Sequence, residues 1–355
     1  MTIYRIYNTL LSQIKQLLPN ERKNRLENFA WLLAGIYQSR SVHLSRIASK
    51  LPWKGKLTSN VRRLSRLLDN SKIRVRKWYE LVSKPLIEAA AGSMGEIRLI
   101  LDTTKVSFSH QLLMVSMAFR RRAIPIAWSW VRSKRGHSSS RKQLALLSYV
   151  RRLIPEGVKA SVVGDTEFSS VVAEIDKWGW DYALRLKRSI LVKIKDEWVS
   201  TGDLVEGVGQ SLWIEDVLVM QKYEIKANLL IHWKAGEEEP WILVSSFADK
   251  QSTLRAYKRR MWIDEMFGDF KGNGFDLERS HLGHFMRLSR LTLAVALLYV
   301  WLISEGSRVI KRGLRHLVDR RDRRDLSIFR IGYNMVERML ALGERLEIRL
   351  IPYFP

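Results

Sequence analysis

The chain has 355 residues and is 46% hydrophobic with 13 tryptophans, enough for one large domain or two to three ordinary ones with a sizeable core. It has no cysteine, which excludes disulfides and thiolate metal sites; of its 7 histidines only His281 and His284 sit close together, which argues against zinc. Lys and Arg outnumber Asp and Glu by 61 to 36, a net charge of +25 that points to a polyanionic partner, nucleic acid ahead of an anionic membrane surface.

Residues 1–90 are helical in pattern and strongly basic, with 18 Lys/Arg against 5 Asp/Glu. Leu26, Phe29, Ala30, Leu33 and Ile36 keep a helical period. Two short helices are expected over 41–51 and 58–68, split by Pro52 and Gly55, with Arg62, Arg63 and Arg66 on the second. Such a unit is compatible with DNA binding; a basic, solvated face on a helical bundle is the alternative.

At residues 97–104, IRLILDTT, the character changes to a short apolar run, a buried strand ending in Asp102. Strands are expected over 112–120 and 123–131 with a turn at Arg120, Arg121 and Arg122, then a polar basic loop over 133–141 and a helix over 144–153. Val162 and Val163 start another strand, which ends in Asp165. A helix over 168–178 and a strand over 182–187 follow, the strand carrying Arg185 and Lys187 on one side. Residues 191–240 hold five Lys against ten Asp/Glu in this basic protein and alternate in Val, Ile, Trp and Tyr, so they read as a β-rich insertion. The strand over 241–247 returns to the basic part, and a helix begins near Thr253. A connecting loop is expected over 273–282, and a long apolar helix over 288–310 leads into helical structure to about Arg349. The 13-residue apolar run at 291–303 is too short to span a bilayer and suits a core helix. The charge run DRRDRRD at 319–325 reads as a solvated helix end or loop, with DNA contact as the alternative. No signal peptide or transit-type leader follows Met1, and the expectation is a soluble cytoplasmic protein.

Residues 257–271, YKRRMWIDEMFGDFK, read as one helix. At about 100° per residue, Tyr257, Arg260, Asp264 and Lys271 share one narrow face, and Glu265 lies roughly 100° away. Trp262, Ile263 and Phe270 cover the other sides and Phe267 borders the stripe. A helix so covered is mostly buried, so its polar stripe is expected to face a site. Two strand ends and one helix thus present Asp102, Asp165 and Asp264. Three converging carboxylates without His or Cys suit Mg²⁺ or Mn²⁺, and a pair of such ions supports phosphodiester chemistry. An Asp at a strand end is also an ordinary turn or helix-cap residue, and spacing alone leaves that alternative open.

The residues Tyr257, Arg260, Asp264 and Lys271 resemble the Y-x2-R-x3-E-x6-K signature of bacterial insertion-sequence transposases of the DDE superfamily, insertion-sequence-four type. LILDTT around Asp102 and VVGDTEF around Asp165 are similar to that family's first and second Asp motifs, and the β-rich insertion matches its layout. The resemblance covers about 95–275 well and the ends loosely. One departure is that Asp264 stands where the family has Glu. Asp264 shares the face with Tyr257, Arg260 and Lys271; Glu265 is the alternative third carboxylate.

The resemblance implies an α/β fold: an RNase H-like catalytic core over 95–190 and 241–282, a β-rich insertion over 191–240, a helical DNA-end-binding domain over 1–90, and a helical region over 283–355 for core completion and dimerisation. It implies two Mg²⁺ ions, with Mn²⁺ able to substitute, on Asp102, Asp165 and Asp264. Tyr257, Arg260, Lys271 and Arg185, with Lys187 beside it, would contact DNA near the cleaved end, Trp241 would stack on a flipped base, and Arg62 and Arg63 would help recognise the end. The partners implied are double-stranded DNA, as terminal inverted repeats and target, and a second copy in a synaptic complex; no membrane and no nucleotide cofactor is expected, and the setting is the bacterial nucleoid. A catalytically impaired DNA-binding relic and a stand-alone RNase H-like nuclease are the alternatives.

Overall fold

The structure is a computed structural model and describes residues 2–107, 109–132 and 138–354. Residues 133–137 of the expected basic loop lie outside these.

Five helices come first: α1 (Thr2–Leu17), α2 (Lys23–Ser39), α3 (Leu44–Lys50), α4 (Leu57–Asp69) and α5 (Val75–Met94). Pro52 and Gly55 fall between α3 and α4, and Gly95 ends α5 in the left-handed region at φ 70°, which glycine adopts without a steric cost. α2 is buried almost all round in its second half, from Phe29 to Tyr37.

The chain then builds ten strands: β1 (Glu96–Lys105), β2 (His110–Phe119), β3 (Arg122–Arg132), β4 (Lys159–Gly164), β5 (Asp181–Arg185), β6 (Leu191–Ile194), β7 (Glu197–Ser200), β8 (Ser211–Val219), β9 (Ile225–His232) and β10 (Trp241–Ser245). They form one sheet in the order β3-β2-β1-β4-β5-β10-β9-β8-β6-β7. β1, β2 and β3 form an antiparallel meander, while β4 lies parallel to β1 and β5 parallel to β4. That arrangement of the first five strands is the RNase H-like one, and the fold is α/β. β10 joins antiparallel to β5, and β6 to β9 continue outward from it. The segment expected as an insertion therefore extends the core sheet edgewise. The turn between β2 and β3 takes Arg120 and Arg121 in the left-handed region, at φ 45° and 62°; Arg122, expected in the turn, already pairs with Phe119.

α6 (Ser140–Arg151) links β3 to β4, and a 3₁₀ turn (Thr166–Val171) followed by α7 (Val172–Lys177) links β4 to β5. The single helix expected over 257–271 is in fact two. α8 (Lys250–Lys258) tightens into a 3₁₀ turn (Arg259–Met261) before α9 (Trp262–Phe270), and Lys271 lies past the helix end with ψ −134°. A 3₁₀ turn winds with three residues per turn, so a uniform helical wheel does not place Lys271.

α10 (Phe285–Lys311) is the core's main helix, and α11 (Ile328–Ala341) crosses it at two glycines. α10 is the one described helix long and apolar enough to cross a membrane, but 83% of its most apolar window is buried inside the protein. It also ties the N-terminal helices to the sheet. Arg290 donates to the carbonyls of Leu68 at 2.7 Å and Ile73 at 3.2 Å, and Tyr37 packs on Trp301. One continuous apolar cluster runs from Ile6 to Ile348.

Candidate active site

Strand register places the first two carboxylates. Leu101 pairs with Gly164 across the parallel strands β1 and β4. Asp102 and Asp165 are the next residue on each, so their backbones stand side by side, about 4.8 Å apart by ordinary strand spacing. They lie where the parallel pairing of β1 with β4 ends, on the side of the sheet where open α/β sheets bind their ligands; β1 does not end at Asp102 as expected but runs on to Lys105 because β2 continues to pair with it. Asp102 accepts from the Thr103 N–H at 2.7 Å and Asp165 from the Thr166 N–H at 2.8 Å. Asp165 thus also caps the following 3₁₀ turn.

The 3₁₀ turn between α8 and α9 brings the third group. Arg260 donates to Asp102 Oδ2 at 2.8 Å and lies 3.9 Å from Asp264 Oδ2. Asp264 is therefore directed toward the strand-end pair through a shared guanidinium. Glu265 points elsewhere, pairing with Arg122 of β3 at 2.8 Å; Arg122 also donates to buried Asp269 at 3.1 Å. Arg185, ending β5, sits 3.8 Å from Asp165 and is held by Glu239 at 3.0 Å and the Pro240 carbonyl at 3.2 Å. Tyr257 is buried under this cluster and meets Trp241, the first residue of β10, edge to face at 5.1 Å.

Burial and mutual repulsion set the electrostatics. Desolvation pushes the Asp102 carboxyl up to about 7 against the pull of Arg260, with Asp264 and Asp165 pushing the same way. Desolvation also raises Asp264, opposed by Arg260 and Lys271 and reinforced by Asp165 and Glu265. The Tyr257 phenol is raised, first by burial. Three carboxylates that feel one another need compensating positive charge, and Arg260 supplies it here.

The other expected residues are more dispersed. Lys271 pairs with Glu278 at 3.0 Å, at the edge of the cluster. Lys187 lies beyond the end of β5 and is exposed, so it is not on a strand face with Arg185. Arg62 and Arg63 are exposed on α4; Arg63 stacks over Trp53 at 4.1 Å and donates to Asn28 at 2.8 Å. Sequence reasoning did not single out Glu167. Its carboxylate accepts from the Thr103 hydroxyl at 3.3 Å, the Ser138 N–H at 2.6 Å and Gln143 Nε2 at 3.5 Å. It thereby ties the segment after Asp165 to the residue after Asp102 and to the start of α6. Its one signal is position, a second carboxylate two residues beyond Asp165.

The donor chemistry suits a hard divalent cation, since carboxylate oxygens are what Mg²⁺ prefers. Among the described residues, no three Asp, Glu or His side chains stand close enough together to hold a metal. Arg260 instead stands between Asp102 and Asp264 while Arg185 faces Asp165, and a metal would have to take over the charge that these guanidiniums now provide.

No protein-family model matches the chain, and no curated protein is similar to it. Among solved structures, the chain is similar to a piggyBac transposase seen by cryo-electron microscopy in a synaptic complex with hairpin DNA. The identity is 10%, the match covers 96% of this chain and 77% of that one, and the TM-score is 0.48. A likeness at that level says nothing of chemistry, which rests here on the chain's own side chains.

Proposed function

We propose that the protein is a DNA transposase of an insertion sequence, which cuts the ends of its element and joins them to target DNA. The observation that carries this reading is that Asp102 and Asp165 each follow the paired residues Leu101 and Gly164 of adjacent parallel strands, with Arg260 lying between Asp102 and Asp264. Asp102, Asp165 and Asp264 would hold two Mg²⁺ ions. When bound, such ions activate the attacking oxygen of a phosphodiester displacement and stabilise the leaving one.

The chain's own part is to bind and orient the strand. Arg185, Arg260 and Lys271 carry positive charge beside the carboxylates, and a guanidinium fork matches two phosphate oxygens. Arg260 also has a second role: it neutralises Asp102 and Asp264 before DNA and metal arrive. Trp241 over Tyr257 offers an aromatic surface for a base turned out of the duplex. The exposed side of α4, with Arg62 and Arg66, would lie on the duplex at the element's end. Two ends must be brought together, so a homodimer on double-stranded DNA is the working assembly.

The test is cleavage of a labelled duplex taken from the DNA flanking the coding sequence, with Mg²⁺ or Mn²⁺. Wild type and Glu265→Gln are expected to cut and Asp264→Asn to lose cutting. Loss in Glu265→Gln alone would transfer the third role to Glu265. Tight binding by wild type without cutting under either metal would leave a DNA-binding relic in place of the enzyme.

A further inference from the structure

A second concentration of polar donors lies where the N-terminal helices meet the loop after α9. A cavity of about 530 Å³ is lined by His43, Ser45, Arg46, Ser49, Arg279 and His281. Every one of these side chains can donate a hydrogen bond and none is acidic. The first four belong to α3 and its N-terminal flank; the last two belong to the 3₁₀ turn Leu277–Ser280 and the residue after it. Asp276 is the acidic group alongside. It pairs with Arg46 at 3.7 Å and Arg279 at 3.5 Å, holding two guanidiniums from distant parts of the chain near each other. The His43 and His281 rings meet edge to face at 5.4 Å. Nδ1 of His43 is buried with no hydrogen-bond partner among the described residues.

We propose that this cavity binds a tetrahedral oxyanion of the phosphate class and that, in the DNA complex, it seats one backbone phosphate. One carboxylate, Asp276, stands against two guanidiniums, so one positive charge is left over beside the two imidazoles, with His43 Nδ1 unpartnered, and a phosphate supplies the missing acceptor. The placement agrees with the chemistry. α3 directly precedes α4, and in paired DNA-binding helices the first crosses the backbone while the second enters the groove. The same loop is tied to Lys271, through the Asp276 N–H to the Lys271 carbonyl at 2.7 Å and through Lys271 to Glu278 at 3.0 Å. A phosphate held here would connect the N-terminal helices to the end of the carboxylate-bearing segment. The DNA assignment rests on the proposed function; the oxyanion site does not.

The test uses the full chain and a labelled duplex, with affinity measured as salt is raised. Arg46→Gln with Arg279→Gln is compared with wild type and with Arg320→Gln plus Arg321→Gln, which removes the same charge from an exposed loop. The first double variant is expected to make the log–log salt slope shallower by about 1, and the second to leave it unchanged. A parallel arm measures the thermal midpoint with inorganic phosphate against chloride at constant ionic strength. Phosphate is expected to stabilise wild type and not the cavity variant. Stabilisation by phosphate with an unchanged salt slope would assign the site to free phosphate and overturn the DNA role. Absence of both effects would overturn the site. Because both arms read binding, failure of cleavage would count against the catalytic reading and leave this one to stand on its own.

Discussion

Asp269 shows how one buried carboxylate makes the fold depend on pH. It is 4% exposed and donates nothing to the site; it receives Arg122, which also pairs with Glu265. Desolvation outweighs Arg122 and pushes its carboxyl from 3.8 to about 7. The folded protein therefore keeps a proton that the unfolded chain releases near pH 4. The resulting stabilisation is complete below that value and is lost as pH rises through about 7. In Asp269→Asn this slope is expected to vanish, so the urea midpoint should fall less between about pH 5 and 8 than in wild type; equal slopes in the two proteins would refute the assignment. The choice between Asp264 and Glu265 is decided at this scale too. They are neighbours in sequence, yet one faces Arg260 and the other Arg122.

At the scale of elements, α10 and α11 approach more closely than side chains permit. A Cβ on Gly332 would stand 1.9 Å from the Leu302 carbonyl oxygen, and one on Gly306 would stand 2.0 Å from that of Ile328. Both obstacles are backbone, so the helices would have to separate. Gly332→Ala is expected to cost about 1–3 kcal/mol or more by overpacking, measured by denaturant unfolding. Gly92 gives the contrast. It is exposed on α5 with nothing within 4 Å of its Cβ position, so Gly92→Ala is expected to stabilise by up to about 1 kcal/mol through helix propensity. If both changes acted alike, close helix contact would not be the cause. The 3₁₀ turn at Arg259–Met261 is another element-scale feature. It interrupts the helix where Arg260 reaches Asp102.

For the whole molecule, the N-terminal helices and the sheet share one core. Tyr37 of α2 donates to Glu337 of α11 at 2.6 Å and packs on Trp301 of α10, and Arg40 donates to Tyr333 at 2.9 Å. Removal of residues 1–90 would uncover the apolar side of α10 that α2 and α4 bury. We expect that truncated chain to be insoluble or unfolded, and the full chain to unfold in a single transition by circular dichroism and tryptophan fluorescence. A folded, soluble 91–355 fragment would show the helices to be a separable domain.

The sequence by itself determined the alternation of helical and strand segments, the two apolar strands that carry Asp102 and lead into Asp165, the buried helix later seen as α10, and the acidic character of residues 191–240. These follow from local periodicity, turn residues and charge, all of which can be read along a line. The tertiary structure alone decided that Leu101 pairs with Gly164, which sets the two Asp residues side by side. It also decided that strands 191–240 extend the core sheet and that Arg260 stands among the carboxylates. Likewise it decided that Arg46 and Arg279 share Asp276 across more than half the chain. Strand register and charge pairing over such separations depend on which apolar faces are buried together, a property of the packed core that no local stretch of sequence contains.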